Sequence, residues 1–175
     1  MKSRFADNLW SSNNQEWNTP KWLYDKLNNY YNFETDPATT EDNPLGCNTF
    51  FTPETNGLDS NKWKGRVFIN PPYDRRVQSL WVYEAQKYNQ INDETVIMLL
   101  PARTDTLLWQ NFIFPKADFI CFIKGRLKFS GHKNAAPFPS AIVAFYTQPW
   151  ELYTTCEEEE LYNELGKMVR CNNCS

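Results

Sequence analysis

The sequence predicts an α/β domain: a mostly parallel sheet with covering helices, ending in an antiparallel hairpin. Three observations carry that expectation. The apolar runs "VFI" (67–69) and "TVIMLLP" (95–101) are continuous instead of alternating, as in strands covered on both faces. Segments with apolar residues at helical spacing lie between the strand-like runs: Leu23, Leu27, Tyr30 and Tyr31, then Val77, Leu80, Trp81, Ala85 and Tyr88. The last two runs, "DFICFIKGRLKF" and "PSAIVAFY", are separated only by "SGHKNAAPF", too short for a helical crossover, so they pair antiparallel.

In chain order, residues 1–16 are polar and weakly patterned and read as a flexible arm. Thr19-Pro20 reads as the cap and first position of a helix over 20–30. "NFETDP" is a short strand ending at Asp36-Pro37, and "CNTFF" a second, after a turn-rich segment. "TPETNGLDSNKW" is loop, and Arg66–Ile69 the third strand. An amphipathic helix follows "NPPY", then strand 95–101, then a short helix over Thr106–Phe114 and the hairpin. At the end, Thr155 and Glu158 form a capping-box pattern. Glu157–Glu160 fill a first turn, Lys167 and Arg170 a last one, and Leu161, Leu165, Met168 and Val169 make the stripe. That charge order suits a helix dipole and assigns the glutamates no other role. The division is an arm (1–16), a main domain (17–150) and a C-terminal helix and tail (151–175).

Bulk properties narrow the function. The 175 residues suffice for one core, and 16% of them are aromatic. The net charge of −3 argues against a large nucleic-acid footprint, although Lys124, Arg126, Lys128, His132 and Lys133 crowd one short stretch. No run spans a bilayer and no signal segment opens the chain, which points to the cytoplasm. Five cysteines is an odd set. Cys171 and Cys174 have metal-ligand spacing but lack a second pair, so no metal is expected.

The chemistry concentrates in "GRVFINPPYDRR" (65–76). A core strand stops at two prolines, which lack the N–H a strand needs and fix the backbone rigidly. Asn70 there offers a side-chain carbonyl, Pro71 a backbone carbonyl held by its neighbouring ring, and Tyr73 a stacking face. Such a loop suits a planar aromatic substrate with an exocyclic amine. Acceptors on its two N–H groups would draw the nitrogen toward tetrahedral geometry and free its lone pair, which is transition-state stabilisation by preorganised dipoles.

The ordered "INPPY" resembles the catalytic motif (Asn70, Pro71, Pro72, Tyr73) of methyltransferases that use S-adenosylmethionine on exocyclic amines. The pieces "EWNTPKWLYDKL", "FETDPATTEDN", "FFTPETNGLDSNKW", "VFINPPY", "VIMLLPARTDTLLW", "IKGRLKF" and "APFPSAIVAF", in order over roughly residues 16–146, resemble the small phage-type DNA N-6-adenine methyltransferases. The resemblance implies a Rossmann-like, S-adenosylmethionine-dependent methyltransferase fold. It also implies double-stranded DNA with a flipped adenine as substrate, and a role in DNA modification that protects from restriction, in the host cytoplasm.

It also implies roles for residues. Thr19 and Pro20 resemble a "TP" segment lying against the methionine part of the donor, beside their reading as a helix cap. Asp36 resembles the acidic residue of the first cofactor motif and would hold the donor ammonium, beside its reading as a turn starter. Asn70 also borders that cofactor site. "DPATT" lacks the usual glycine-rich turn, with Ala38 and Thr39 in its place. Phe51, Thr52 and Asp59 are candidates for ribose and adenine contacts, or core and loop. Arg103, near Thr104 and Asp105, either holds a flanking phosphate or pairs with Asp105. Phe129 either stacks on the base opposite Tyr73 or belongs to the core. Lys124, Arg126 and Lys128 make the best phosphate-binding stretch, or a solvated hairpin. Two other readings stay open: a protein glutamine methyltransferase, which usually adds a glycine-rich motif and an N-terminal domain, and a non-catalytic cofactor-binding module, against which the intact Asn70 and Tyr73 argue. No separate recognition domain is evident, so sequence specificity is either relaxed or supplied by short loops, and the oligomeric state stays open.

Overall fold

The computed structural model describes residues 17–146 and 156–171; the expected N-terminal arm and Thr155 of the capping box lie outside them. Helix α1 (Lys21–Tyr31) leads to strands β1 (Thr35–Asp36) and β2 (Thr49–Phe50), then a 3-10 turn (Ser60–Lys62) and β3 (Val67–Ile69). Helix α2 (Arg75–Asn92), β4 (Val96–Pro101), a π-helical turn (Trp109–Ile113), β5 (Phe119–Ile123) and β6 (Ser140–Phe145) follow. Helix α3 (Cys156–Leu165) and β7 (Gly166–Arg170) close the order.

One sheet of the described residues has the order β2-β1-β3-β4-β6-β5-β7. β2, β1, β3 and β4 pair in parallel. β6 is antiparallel to both β4 and β5, and β7 is antiparallel to β5. Five strands therefore run one way and β6 and β7 the other, which agrees with the expected mostly parallel sheet and its β5–β6 antiparallel hairpin, except that the sheet ends not on that hairpin but on β7, added beyond β5. The chain moves from β1 outward to β2, then returns to place β3 on the other side of β1. The crevice beyond the carboxyl ends of β1 and β3 is thus a topological switch point, where open α/β sheets bind ligands.

The continuous apolar strands have two covered faces. Ile97 and Leu99 of β4 face a core shared with Leu23, Leu27 and Tyr31 of α1 and Leu161, Tyr162 and Leu165 of α3. Val96, Met98 and Leu100 face Val77, Trp81, Ala85 and Tyr88 of α2, with Trp109 and Ile113. Leu80, expected in the α2 stripe, is instead 41% exposed. Asp74 starts α2, its carboxylate accepting from the Arg76 backbone N–H at 2.8 Å.

Two further expectations are corrected. The C-terminal helix does not run through Met168 and Val169. It stops at Leu165, and Gly166–Arg170 becomes an edge strand paired with Phe119–Ile123. A Cβ at Gly166 would lie 2.0 Å from the Phe122 carbonyl oxygen, so the chain turns onto the sheet where only glycine fits. Lys167 and Arg170 therefore sit on that edge, where charges discourage further strand addition. Nor are all the glutamates merely dipole partners. Glu158 is 3% exposed and accepts hydrogen bonds from the hydroxyls of Tyr31 and Tyr146. Tyr31 also meets Tyr162 at 2.8 Å, so one carboxylate ties α1, α3 and the end of β6 together.

Candidate active site

A cleft of about 400 Å³ opens at the switch point. Its floor comes from the carboxyl ends of two neighbouring strands: Asp36 from β1, and Asn70 to Tyr73 directly after β3. One wall is Ala38, Thr39, Thr40 and Leu45 from the β1–β2 connection; the other is Trp17, Asn18, Thr19 and Ser130. That connection is held in place by Gly57, where a Cβ would fall 1.7 Å from the Pro37 carbonyl oxygen. No side chain is tolerated at such an approach.

Asp36 is 3% exposed. Its carboxyl accepts from the Ala38 backbone N–H at 3.1 Å and forms no ion pair among the described residues. Burial pushes it up to about 7, against the opposing pull of the Ala38 N–H and the Thr39 hydroxyl. Near neutral pH this carboxyl is about half ionised, and its carboxylate form has no cation beside it among the described residues.

Asn70 is fixed by its amide nitrogen. Nδ2 donates to the Trp17 carbonyl at 2.6 Å and to the Thr19 hydroxyl at 2.9 Å. Its Oδ1 is buried and has no partner. A buried acceptor left without a donor is costly, and this one lies in a residue that lines the cleft. Tyr73 also lines the cleft, its hydroxyl buried without a partner. Burial keeps that phenol firmly protonated, against a smaller opposing effect of the Arg103 charge.

The expected site residues thus separate. Thr19, Asp36, Ala38, Asn70, Pro71, Pro72 and Tyr73 come together at the cleft. Pro20 is beside it but buried, its carbonyl starting α1 by accepting from Leu23 and Tyr24. Phe51, Thr52 and Asp59 do not line it. Phe51 packs on the α2-side core, Thr52 turns its hydroxyl to Glu54 at 2.7 Å, and Asp59 pairs with Lys62 at 3.3 Å. Arg103 forms no ion pair with Asp105; its guanidinium lies 5.9 Å over the Phe138 ring, a cation–π contact. Phe129 is 1% exposed and meets Tyr73 at 6.0 Å and 82°, so the two rings form an edge contact and not parallel walls for a base. Lys124, Arg126 and Lys128 are exposed on the segment after β5, alternating with buried Leu127 and Phe129.

Sequence reasoning missed Trp17, Asn18 and Ser130 as cleft walls. The Trp17 ring stacks on His132 at 4.3 Å and 13°, and Asn18 bridges to Ser130. An isolated tryptophan next to "NTP" was the available signal. Among the described residues no group of three or more His, Cys, Asp or Glu could hold a metal, and Cys174 lies outside them. No helix of the described residues is long and apolar enough to cross a membrane.

Fold and cleft together define a class: an α/β protein with a ligand site at the switch point of its sheet, bearing one buried carboxyl and one oriented amide. The comparison with protein families narrows this. The family described as DNA N-6-adenine-methyltransferase (Dam) matches residues 7–164, and the chain belongs to that family. It is 29% identical over 130 residues to a DNA N-6-adenine-methyltransferase of Haemophilus phage HP1 (strain HP1c1), covering 73% of each chain. It is 34% identical over 94 residues to one of Escherichia phage T1, covering 51% of this chain and 37% of that relative.

Proposed function

We propose that this protein transfers a methyl group from S-adenosylmethionine to the exocyclic N6 of an adenine flipped out of duplex DNA, on a Rossmann-like methyltransferase fold. Membership of the DNA N-6-adenine-methyltransferase family supports the reaction. The observation that carries the site is the buried, unpartnered Oδ1 of Asn70, whose amide nitrogen is already committed to Trp17 and Thr19. An adenine amino group is the donor that this acceptor lacks.

The donor fits the cleft's chemistry. Asp36, cation-free and cleft-lining, would hold the ammonium of the methionine part, and Ala38 and Leu45 line the same cleft. S-adenosylmethionine supplies an electrophilic methyl group on a sulfonium. The chain's own residues do the rest. Asn70 Oδ1 accepts one N6–H and the Pro71 carbonyl the other, favouring the tetrahedral nitrogen of the transition state. Tyr73 offers its ring to the base, and its neutral hydroxyl brings no charge into the site. Holding the two reactants in line supplies much of the acceleration. After transfer the nitrogen loses its extra proton to water, so no strong base is required. Exposed Lys124, Arg126 and Lys128 take backbone phosphates. Similarity to the DNA N-6-adenine-methyltransferases of two phages supports phage DNA in a host cytoplasm as the setting.

The test is incubation with methyl-labelled donor and either duplex DNA or total cell protein, followed by digestion and mass spectrometry. Label in N6-methyladenine is expected. Label in protein glutamine, or donor binding without transfer to either, would overturn the reading.

A further inference from the structure

Threonine directly before proline commonly caps a helix, but Thr19 does not cap α1. That helix begins at Lys21 with no side-chain cap. The Thr19 hydroxyl instead receives the Asn70 amide at 2.9 Å, across 51 residues of chain, while the Trp17 carbonyl receives it at 2.6 Å. A backbone carbonyl can only accept. The amide must therefore turn its NH2 toward the Trp17–Thr19 segment, and Oδ1 is directed the other way.

We propose that Thr19 is a positioning residue for methyl transfer: its hydroxyl latches the Asn70 amide so that Oδ1 meets the substrate amine without reorganisation. This rests on the catalytic role proposed for Asn70. Thr19 thereby acts through Asn70 and not, as its resemblance implies, mainly through the donor.

The latch has its own anchor. The Ser130 backbone N–H donates to the Asn18 carbonyl at 2.9 Å, and the Ser130 hydroxyl donates to the Thr19 carbonyl at 3.1 Å. Trp17 stacks on His132 and packs edge-on against Phe129 at 5.3 Å and Phe138 at 5.0 Å. Residues 17–19 are thus clamped by the β5–β6 connection, the segment that also displays Lys124, Arg126 and Lys128. Thr19 is itself only 6% exposed, so little of the residue meets water. An acceptor contributes fully to a transition state only when its direction is set beforehand, which here requires both of these bonds. With Thr19 silenced, the Trp17 carbonyl alone would hold the amide, leaving one N–H without a partner and the side chain free to rock.

The experiment compares Thr19→Val, which keeps shape and removes the hydroxyl, with Thr19→Ser, which restores it. Thr19→Val should lower kcat about 10-fold while the donor Kd stays within about twofold, and Thr19→Ser should recover most of kcat. The Asn70 side-chain NH2 resonances, assigned by their absence in Asn70→Ala, should exchange with solvent at least about fivefold faster in Thr19→Val. This last readout needs no turnover. An inactive parent enzyme would defeat the proposed reaction, while the exchange measurement would still decide the latch. Unchanged Asn70 exchange overturns the proposal. So does failure of Thr19→Ser to restore kcat, or a Thr19→Val defect confined to donor Kd, which would make Thr19 a donor contact.

Discussion

Asp36 makes donor binding depend on pH in a way that can be calculated. Its carboxyl titrates near 7 in the folded protein, against 3.8 when unperturbed, because burial opposes the charged form. A donor ammonium that binds only the carboxylate has an apparent Kd multiplied by 1 + 10^(pKa − pH). Relative to the plateau, binding should be about 10-fold weaker at pH 6 and about 100-fold weaker at pH 5. Above about pH 8 the donor's own amine begins to lose its proton, so affinity should peak between roughly 7 and 8. The same shift sets a stability dependence of definite sign. A raised folded value means that the native state holds a proton the unfolded chain releases. The favourable contribution is therefore fully present below about 3.8 and is lost as pH rises through about 7. The ceiling is about 4 kcal/mol, from roughly three units at 1.36 kcal/mol each. Asp36→Asn, isosteric and always neutral, should bind donor poorly at every pH. It should also match the parent's stability near pH 4 and exceed it near pH 8. Calorimetry of donor binding from pH 5 to 9, with urea unfolding at pH 4 and 8, checks both. A pH-independent Kd in the parent, or an Asp36→Asn protein no more stable than the parent at pH 8, would refute the reasoning.

Other outcomes follow from the same geometry. Asn70→Ala should reduce kcat by on the order of 100- to 1,000-fold with little change in donor Kd, as for loss of a preorganised acceptor; single-turnover methylation of duplex DNA measures it. DNA affinity against salt should show a shallow log–log slope of about −2 to −4, because the cations clustered on the segment after β5 are few, and each of Lys124→Ala, Arg126→Ala and Lys128→Ala should flatten it by about 0.9. Slopes untouched by all three variants would move the DNA surface elsewhere, and a parent slope near −10 would demand a larger basic face. Glu158→Ala removes the acceptor shared by the Tyr31 and Tyr146 hydroxyls and should cost roughly 2–4 kcal/mol, read as a Tm lower by roughly 4–16 °C. An unchanged Tm would show that water or a neighbour replaces the carboxylate.

The sequence by itself determined what is written in neighbouring residues. Continuous apolar runs reported strands with two covered faces, and β3, β4 and β6 lie within them. The spacing of Val77, Trp81, Ala85 and Tyr88 reported the buried side of α2. The Asn-Pro-Pro-Tyr loop announced itself, because two prolines at a strand end have so few conformations that their position is fixed locally. Gly166 is a local stop signal, but the charge order and the apolar Met168 and Val169 beyond it suit a longer helix, so the break is not decided by the local pattern.

Tertiary structure decided everything that joins distant segments. Only the switch between β1 and β3 puts Asp36 beside Asn70 at one crevice. Only the pairing of Asn18 with Ser130 brings Trp17 and Thr19 onto the Asn70 amide, and the hydroxyl that local sequence offers to a helix goes there instead. Glu158 reads as one of four surface acids until α1 and β6 deliver Tyr31 and Tyr146 to it. The physical reason is common to all three cases. Backbone propensity and hydrophobic period act over a few residues, and so can be read along the chain. The partner of a buried polar group is whatever the completed sheet and its crossings carry within hydrogen-bond reach, and that depends on contacts tens of residues away.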